Sequence, residues 1–203
     1  MPHRPPLMPP GDADRVLLHS CCAPCSSAIV ECLLNNGIRP TVFYFNPNIH
    51  PRREYERRKA ESQRHAQTLG LDFVDADYDP KGWLKRTAAL ADAPERGPRC
   101  VLCFGLRLSE TARYASANGF GVFTTTLASS RWKDRSQILD AGRSAAADWP
   151  GLVFWEHDWR KGGLTERKAE LNREYGFYQQ TYCGCIYSLR ATRLRRVSDG
   201  SDS

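Results

Sequence analysis

Seven of the eight cysteines in this 203-residue sequence fall into three tight groups: Cys21, Cys22 and Cys25 in CCAPC, Cys100 and Cys103 in CVLC, and Cys183 and Cys185 in CGC. Thiolates are ligands for soft metals and the working groups of dithiol redox chemistry. A C-x-x-C pair at a helix start puts both sulfurs on one side, where free N–H groups and the macrodipole favour the thiolate. CVLC fits this, because Val101, Phe104, Leu108, Ala112 and Ala115 trace an apolar stripe behind it. The eighth cysteine, Cys32, shares a helical face with Ile29 and lies beside Leu33, which suits a small buried hydrophobe.

Counting narrows the metal. A 4Fe-4S cluster takes four thiolates, and the three that remain, with one open position, are the set a reactive metal uses. Structural zinc more often shows two C-x-x-C pairs or histidines at ligand spacing. His19, the histidine next to a cysteine group, reads as a satisfied strand-end residue. CAPC after a strand and opening a helix also fits a thioredoxin-like motif, but Cys21 and the four cysteines of the other groups lie outside that pattern.

The elements that must position these thiols alternate. Short β-like runs at 15–20, 41–46, 71–74, 121–126 and 152–155 are separated by helical stretches at 24–37, 53–70, 81–92, 136–148 and 165–176, with a further helix opening at Cys100. This rhythm predicts an α/β fold, a parallel sheet with helices on both faces. Ligands of such sheets sit beyond the carboxyl ends of the strands, which brings HSCCAPCSS and TLASSRWKD into one view. The expected cysteine-rich metal site therefore lies at the strand C-terminal edge.

Composition is that of a globular protein, with 41% hydrophobic and 26% charged residues, and excludes a fibrous repeat or wholesale disorder. No run approaches the roughly 18 apolar residues of a membrane span. A single domain is expected over 13–197, between a disordered proline-rich segment at 1–12 and a polar tail at 198–203. The opening MPHRPPLMPPGD has no apolar signal region, so a cytoplasmic location is expected, where clustered cysteines serve metal or redox chemistry.

LLHSCCAPCS at 17–26, RCVLCFGLRL at 99–108, TTTLASSRWK at 124–133, DWRKGG at 158–163 and YQQTYCGCIYS at 178–188 resemble the QueH-type epoxyqueuosine reductases. The resemblance implies a Rossmann-like, HUP-type domain related to the ATP pyrophosphatases that modify tRNA. Those relatives carry S-G-G-x-D-S after the first strand, where this chain has HSCCAPCSS, so ATP activation is not expected. It also implies removal of the epoxide oxygen of epoxyqueuosine at the wobble position of the tRNA anticodon loop, with a 4Fe-4S cluster beside a second site. Carried over by position, Cys21, Cys22, Cys100 and Cys103 hold the cluster, and Cys25, Cys183 and Cys185 form the second site, as ligands of a second iron or as a redox pair. Neighbours in an extended chain point opposite ways, so Cys21 and Cys22 could instead serve different centres.

Without a G-x-G-x-x-G motif for a nicotinamide or flavin, an external low-potential electron donor is expected. A tRNA partner agrees with the net charge of +6 and with two basic stretches. One holds Arg52, Arg53, Arg57, Arg58, Lys59 and Arg64, although Glu54 can pair with Arg58 four residues on. The other, free of acids, holds Arg190, Arg193, Arg195 and Arg196. Lys133, Arg160 and Lys161 are further candidates for substrate or tRNA, and Tyr44, Trp132 and Tyr182 for base stacking. The competing functions are a zinc-stabilised tRNA-binding module and an iron-sulfur tRNA sulfurtransferase; metal analysis separates the former from a reductase.

Overall fold

The computed structural model describes residues 7–198 except 131 and 132, and leaves aside the side chains of 196–198. Trp132, the Arg196 side chain, the first six residues and the last five thus lie outside the described residues. Five parallel strands form one sheet: β1 (Arg15–His19), β2 (Arg39–Tyr44), β3 (Phe73–Asp75), β4 (Val122–Thr125) and β5 (Val153–Phe154), in the order β3-β2-β1-β4-β5. The central strands are buried along nearly their whole length, as a sheet covered on both faces requires.

Among the described residues there are seven α-helices: α1 (Ala23–Asn35), α2 (Arg52–Thr68), α3 (Pro80–Thr87), α4 (Pro98–Ala117), α5 (Arg135–Ala147), α6 (Leu164–Glu174) and α7 (Ile186–Ser198). From β1 the chain steps outward to β3, then returns to the other side of β1 for β4 and β5. Right-handed crossovers therefore lay α1 and α2 on one face and α4 and α5 on the other. In agreement, α1 packs on α2 and α6, while α4 packs on α5 and α3. The order reverses between β1 and β4, and the crevice at their carboxyl ends is where such folds bind ligands.

Local differences from the sequence reading have physical causes. The helix expected over 81–92 is α-helical only to Thr87 and tightens into a 3-10 turn at Ala88–Leu90. In α4, Phe104, Leu108, Ala112 and Ala115 are buried, but Val101, in the first turn, is exposed. Helix α7 was not anticipated as a helix: Leu194 is 72% exposed and no apolar stripe announces it. Tyr44, a candidate base-stacking ring, is fully buried against Tyr55 and Phe73, and so belongs to the core. Cys32 is packed in the main core with Ile29 and Leu33.

Helix α5 reaches the sheet at Gly142, where an added Cβ would lie 2.2 Å from Phe154 Cε1. The ring cannot move without disturbing Phe123, 5.2 Å away between centroids. Gly142→Ala is expected to cost about 1–3 kcal/mol, read as a lowered midpoint in chemical denaturation; an unchanged midpoint would refute this close approach.

Candidate metal centre

All three cysteine groups sit at helix N-termini. Cys22 is the N-cap of α1, in extended conformation, with Pro24 in the first turn. Cys100 is the third residue of α4. Cys185 directly precedes α7, and its Sγ accepts from the Ser188 N–H at 3.3 Å, as an N-cap side chain does. The exposed N–H groups and positive dipole ends of three helices thus favour negative charge on sulfur.

The tightest group is the first. Sγ of Cys21 lies 3.8 Å from that of Cys22, and the sulfurs of Cys21, Cys22 and Cys25 all lie within 4.8 Å of one another. Among the described residues no other trio of His, Cys, Asp or Glu donors is gathered so closely. Cys21 is fixed across the β1–β4 crevice by Thr126, whose Oγ1 accepts from the Cys21 N–H at 3.1 Å and donates to its sulfur at 3.3 Å. Below it, neutral His19 joins three strand ends through Thr125 Oγ1 (2.8 Å) and the Phe45 carbonyl (3.2 Å). Burial, then the nearby Arg107 charge, pushes the His19 pKa down to about 3.

Of the other four thiols, Cys103 and Cys185 pack together around Trp83 in a small apolar cluster. Cys100 is half-buried and its sulfur accepts from the Arg96 N–H at 3.3 Å. Cys183 is exposed, and its charge is felt at Cys100, Cys103, Cys185 and Lys133. Cys25 is thus gathered with Cys21 and Cys22, and the foursome Cys21, Cys22, Cys100 and Cys103 is not similarly gathered.

Electrostatics fit this donor set to a cation. Hydrogen bonds from the Cys22 and Cys25 thiols hold Cys21 well below the usual thiol range. The same contacts work against the donors: Cys22 is raised, and Cys25 is pushed up to about 11. Burial raises Cys100 and Cys103, and lifts Cys185 to about 12. One sulfur of the trio ionises readily and the next two resist, a balance that a bound cation reverses by taking the place of their protons. Burial opposes the charge on half-buried Lys133, yet Coulombic attraction to the Cys183, Cys21 and Cys25 sulfurs outweighs it and raises its pKa.

Comparison with known proteins bears on this arrangement. The family model described as epoxyqueuosine reductase QueH matches residues 16–191. The chain belongs to the QueH family. Epoxyqueuosine reductase QueH of Histophilus somni is 48% identical over 97% of this chain and 81% of its own length. That of Acinetobacter baylyi is 47% identical over 95% and 88%, and that of Thermotoga maritima 32% over 90% and 94%.

In this QueH chain the C-G-C loop is held by groups that the cysteine pattern did not reveal. Arg58, buried and paired with Glu54 at 2.7 Å, donates to the carbonyls of Cys183 (3.2 Å) and Tyr182 (3.3 Å). The Tyr182 hydroxyl donates to the His50 carbonyl, and the His50 N–H to the Gly184 carbonyl. Arg58 thus serves the loop, and the Glu54–Arg58 spacing was its only signal in the sequence. Arg160 is likewise committed, donating to the carbonyls of Ala128, Ser130 and Lys133 at 2.8, 2.7 and 3.2 Å. Lys161 is exposed, 3.9 Å from Asp158, and Arg193 and Arg195 lie on the exposed side of α7.

Gly184 explains the motif's middle residue. Its φ is +122°, and a Cβ there would lie 3.1 Å from both Arg58 Nη1 and Ile49 Cγ1. Gly184→Ala is expected to cost about 1–3 kcal/mol through backbone strain and to lower retained metal, checked by thermal melting and by metal analysis of the same preparation. A variant that melts and binds metal like the parent would show that the loop does not need this glycine.

Proposed function

We propose that this chain is an epoxyqueuosine reductase: an oxidoreductase that removes the epoxide oxygen of epoxyqueuosine in tRNA as water, consuming two electrons and two protons and leaving the double bond of queuosine. The observation that carries this reading is the gathering of Cys21, Cys22 and Cys25 at the switch-point crevice of a QueH-family fold. Seven thiolates are the donors for a 4Fe-4S cluster and a second iron, which when bound supply single electrons and a Lewis acid. The protein's own groups hold and shape the site. Thr126 fixes Cys21, Arg58 fixes the C-G-C loop, and Lys133 keeps a proton on Nζ near the sulfurs of Cys21, Cys25 and Cys183. An external low-potential donor supplies the electrons.

Two divisions of the thiols are open to test. The family resemblance assigns Cys21, Cys22, Cys100 and Cys103 to the cluster and Cys25, Cys183 and Cys185 to the second site. The gathering of Cys25 with Cys21 and Cys22 favours that trio as the three-thiolate site, with the remaining four on the cluster. Anaerobically prepared protein is expected to carry about four iron and four sulfide per cluster, plus one further metal, and to convert epoxyqueuosine in tRNA with a low-potential reductant and neither ATP nor NADPH. Zinc without sulfide would point instead to a tRNA-binding module. Loss of the cluster absorbance in Cys185→Ser selects the second division, its retention with loss of turnover selects the first, and Cys32→Ala keeps both metal and activity.

The substrate tRNA is proposed to lie along α7, where Arg190 and Arg193 are exposed. Neutralising Arg193, Arg195 and Arg196 together should weaken tRNA binding and reduce the log-log salt slope by roughly two units, at about 0.7 per phosphate contact for single strands. An unchanged slope would remove this helix from the interface.

A further inference from the structure

Three arginines in the described chain are buried: Arg58, Arg99 and Arg107. Two are compensated. Arg58 has the Glu54 carboxylate and two carbonyls, and Arg99 has the carbonyls of Leu90, Ala91 and Ala93 and the face of Tyr187. Arg107 is different. It is 2% exposed, its single hydrogen bond among the described residues runs from Nη2 to Asn46 Oδ1 at 2.5 Å, and its Nε is buried without a partner. No carboxylate pairs with it in the described chain. A guanidinium stays charged across the physiological range, and burying it unpaired is costly unless an anion is supplied.

The location indicates which anion. Arg107 follows Cys103 by four residues on α4, and so shares its helix face. Its partner Asn46 is itself buried and donates from Nδ2 to the Ser20 carbonyl at 2.9 Å, the residue before Cys21. The guanidinium is thereby tied to two of the three cysteine groups, and its charge favours the thiolate at both Cys21 and Cys103.

We propose that Arg107 is the built-in counter-charge of the cysteine site, a positioning residue that binds no metal itself but stabilises the anionic metal–thiolate assembly and raises its reduction potential. This rests on the reading that the thiols hold an iron-sulfur cluster. Each electron the assembly takes up adds a negative charge, so a fixed buried cation stabilises the reduced form more than the oxidised one. Asn46 aims the guanidinium and links it to the Cys21 loop.

The test is an anaerobic redox titration of metal-loaded protein, with melting curves of loaded and metal-free forms. Arg107→Met should lower the midpoint potential by about 60 mV or more, a roughly tenfold shift in a one-electron equilibrium. Arg107→Lys should restore most of it. Metal-free Arg107→Met should melt no lower than the metal-free parent, because the uncompensated charge is gone, while the stabilisation gained on loading should shrink. Asn46→Asp keeps the arginine but cancels its charge, and should lower the potential in the same direction even if the Met variant fails to fold. A merely structural arginine would lower both melting curves equally and leave the potential alone. A normal cluster whose potential ignores both Arg107→Met and Asn46→Asp overturns this inference alone; a parent protein that takes up no metal overturns it together with the reading beneath it.

Discussion

Three sulfurs, those of Cys21, Cys22 and Cys25, share one crevice within 4.8 Å of one another, and any negative charge they carry has to be offset by positive charge nearby. The fold meets this constraint with backbone first. Cys22 is the N-cap of α1, Cys100 lies in the first turn of α4, and the Cys185 sulfur accepts from an N–H of the first turn of α7, so each cysteine group sits near the positive end of a helix. Lys133 and Arg107 add the positive charge of two side chains.

Holding such a site open requires that the surrounding loops be rigid before any metal arrives. The structure achieves this with buried polar contacts rather than with more apolar packing. Thr126 bridges the β1 and β4 loops through both the N–H and the sulfur of Cys21. His19 joins β1, β4 and the end of β2 as a neutral ring. Glu54 and Glu61 of α2 accept from the Tyr178 hydroxyl and the Tyr178 N–H, and Arg58 anchors the C-G-C carbonyls. Such networks are costly when half-satisfied and specific when complete, which suits a site where ångström-level placement of sulfur decides what is bound.

The place of the site in the fold also follows from topology. Open parallel sheets bind their ligands where the strand order reverses, between β1 and β4 here. In parallel sheets that bind nucleotides, that position needs glycines for close approach of phosphate to backbone. This chain places cysteines at the same strand-to-helix turn, where Cys21 ionises readily because the Cys22 and Cys25 thiols donate to it.

Much of this was legible in the sequence because it depends on local rules. Strand–helix alternation predicted the parallel α/β architecture, C-x-x-C spacing predicted thiols at helix starts, and the order of the cysteine motifs indicated the family. Strand ends shifted by at most two residues, since register is set by neighbouring strands and not by the strand itself. What the linear pattern did not contain was pairing across distance. Nothing in the spacing of Glu54 and Arg58 says that the arginine reaches Cys183, 125 residues on, nor that Arg160 would be spent on three carbonyls rather than left for RNA. The gathering of Cys25 with Cys21 and Cys22 follows from how an extended N-cap meets the first turn of α1. The burial of Arg107 without a carboxylate is fixed only when α4 closes over the loop after β2. Residue type and spacing determine which groups can do chemistry; only the packed tertiary structure decides which of them keep a free charge or a free sulfur, because burial and hydrogen bonding commit the rest.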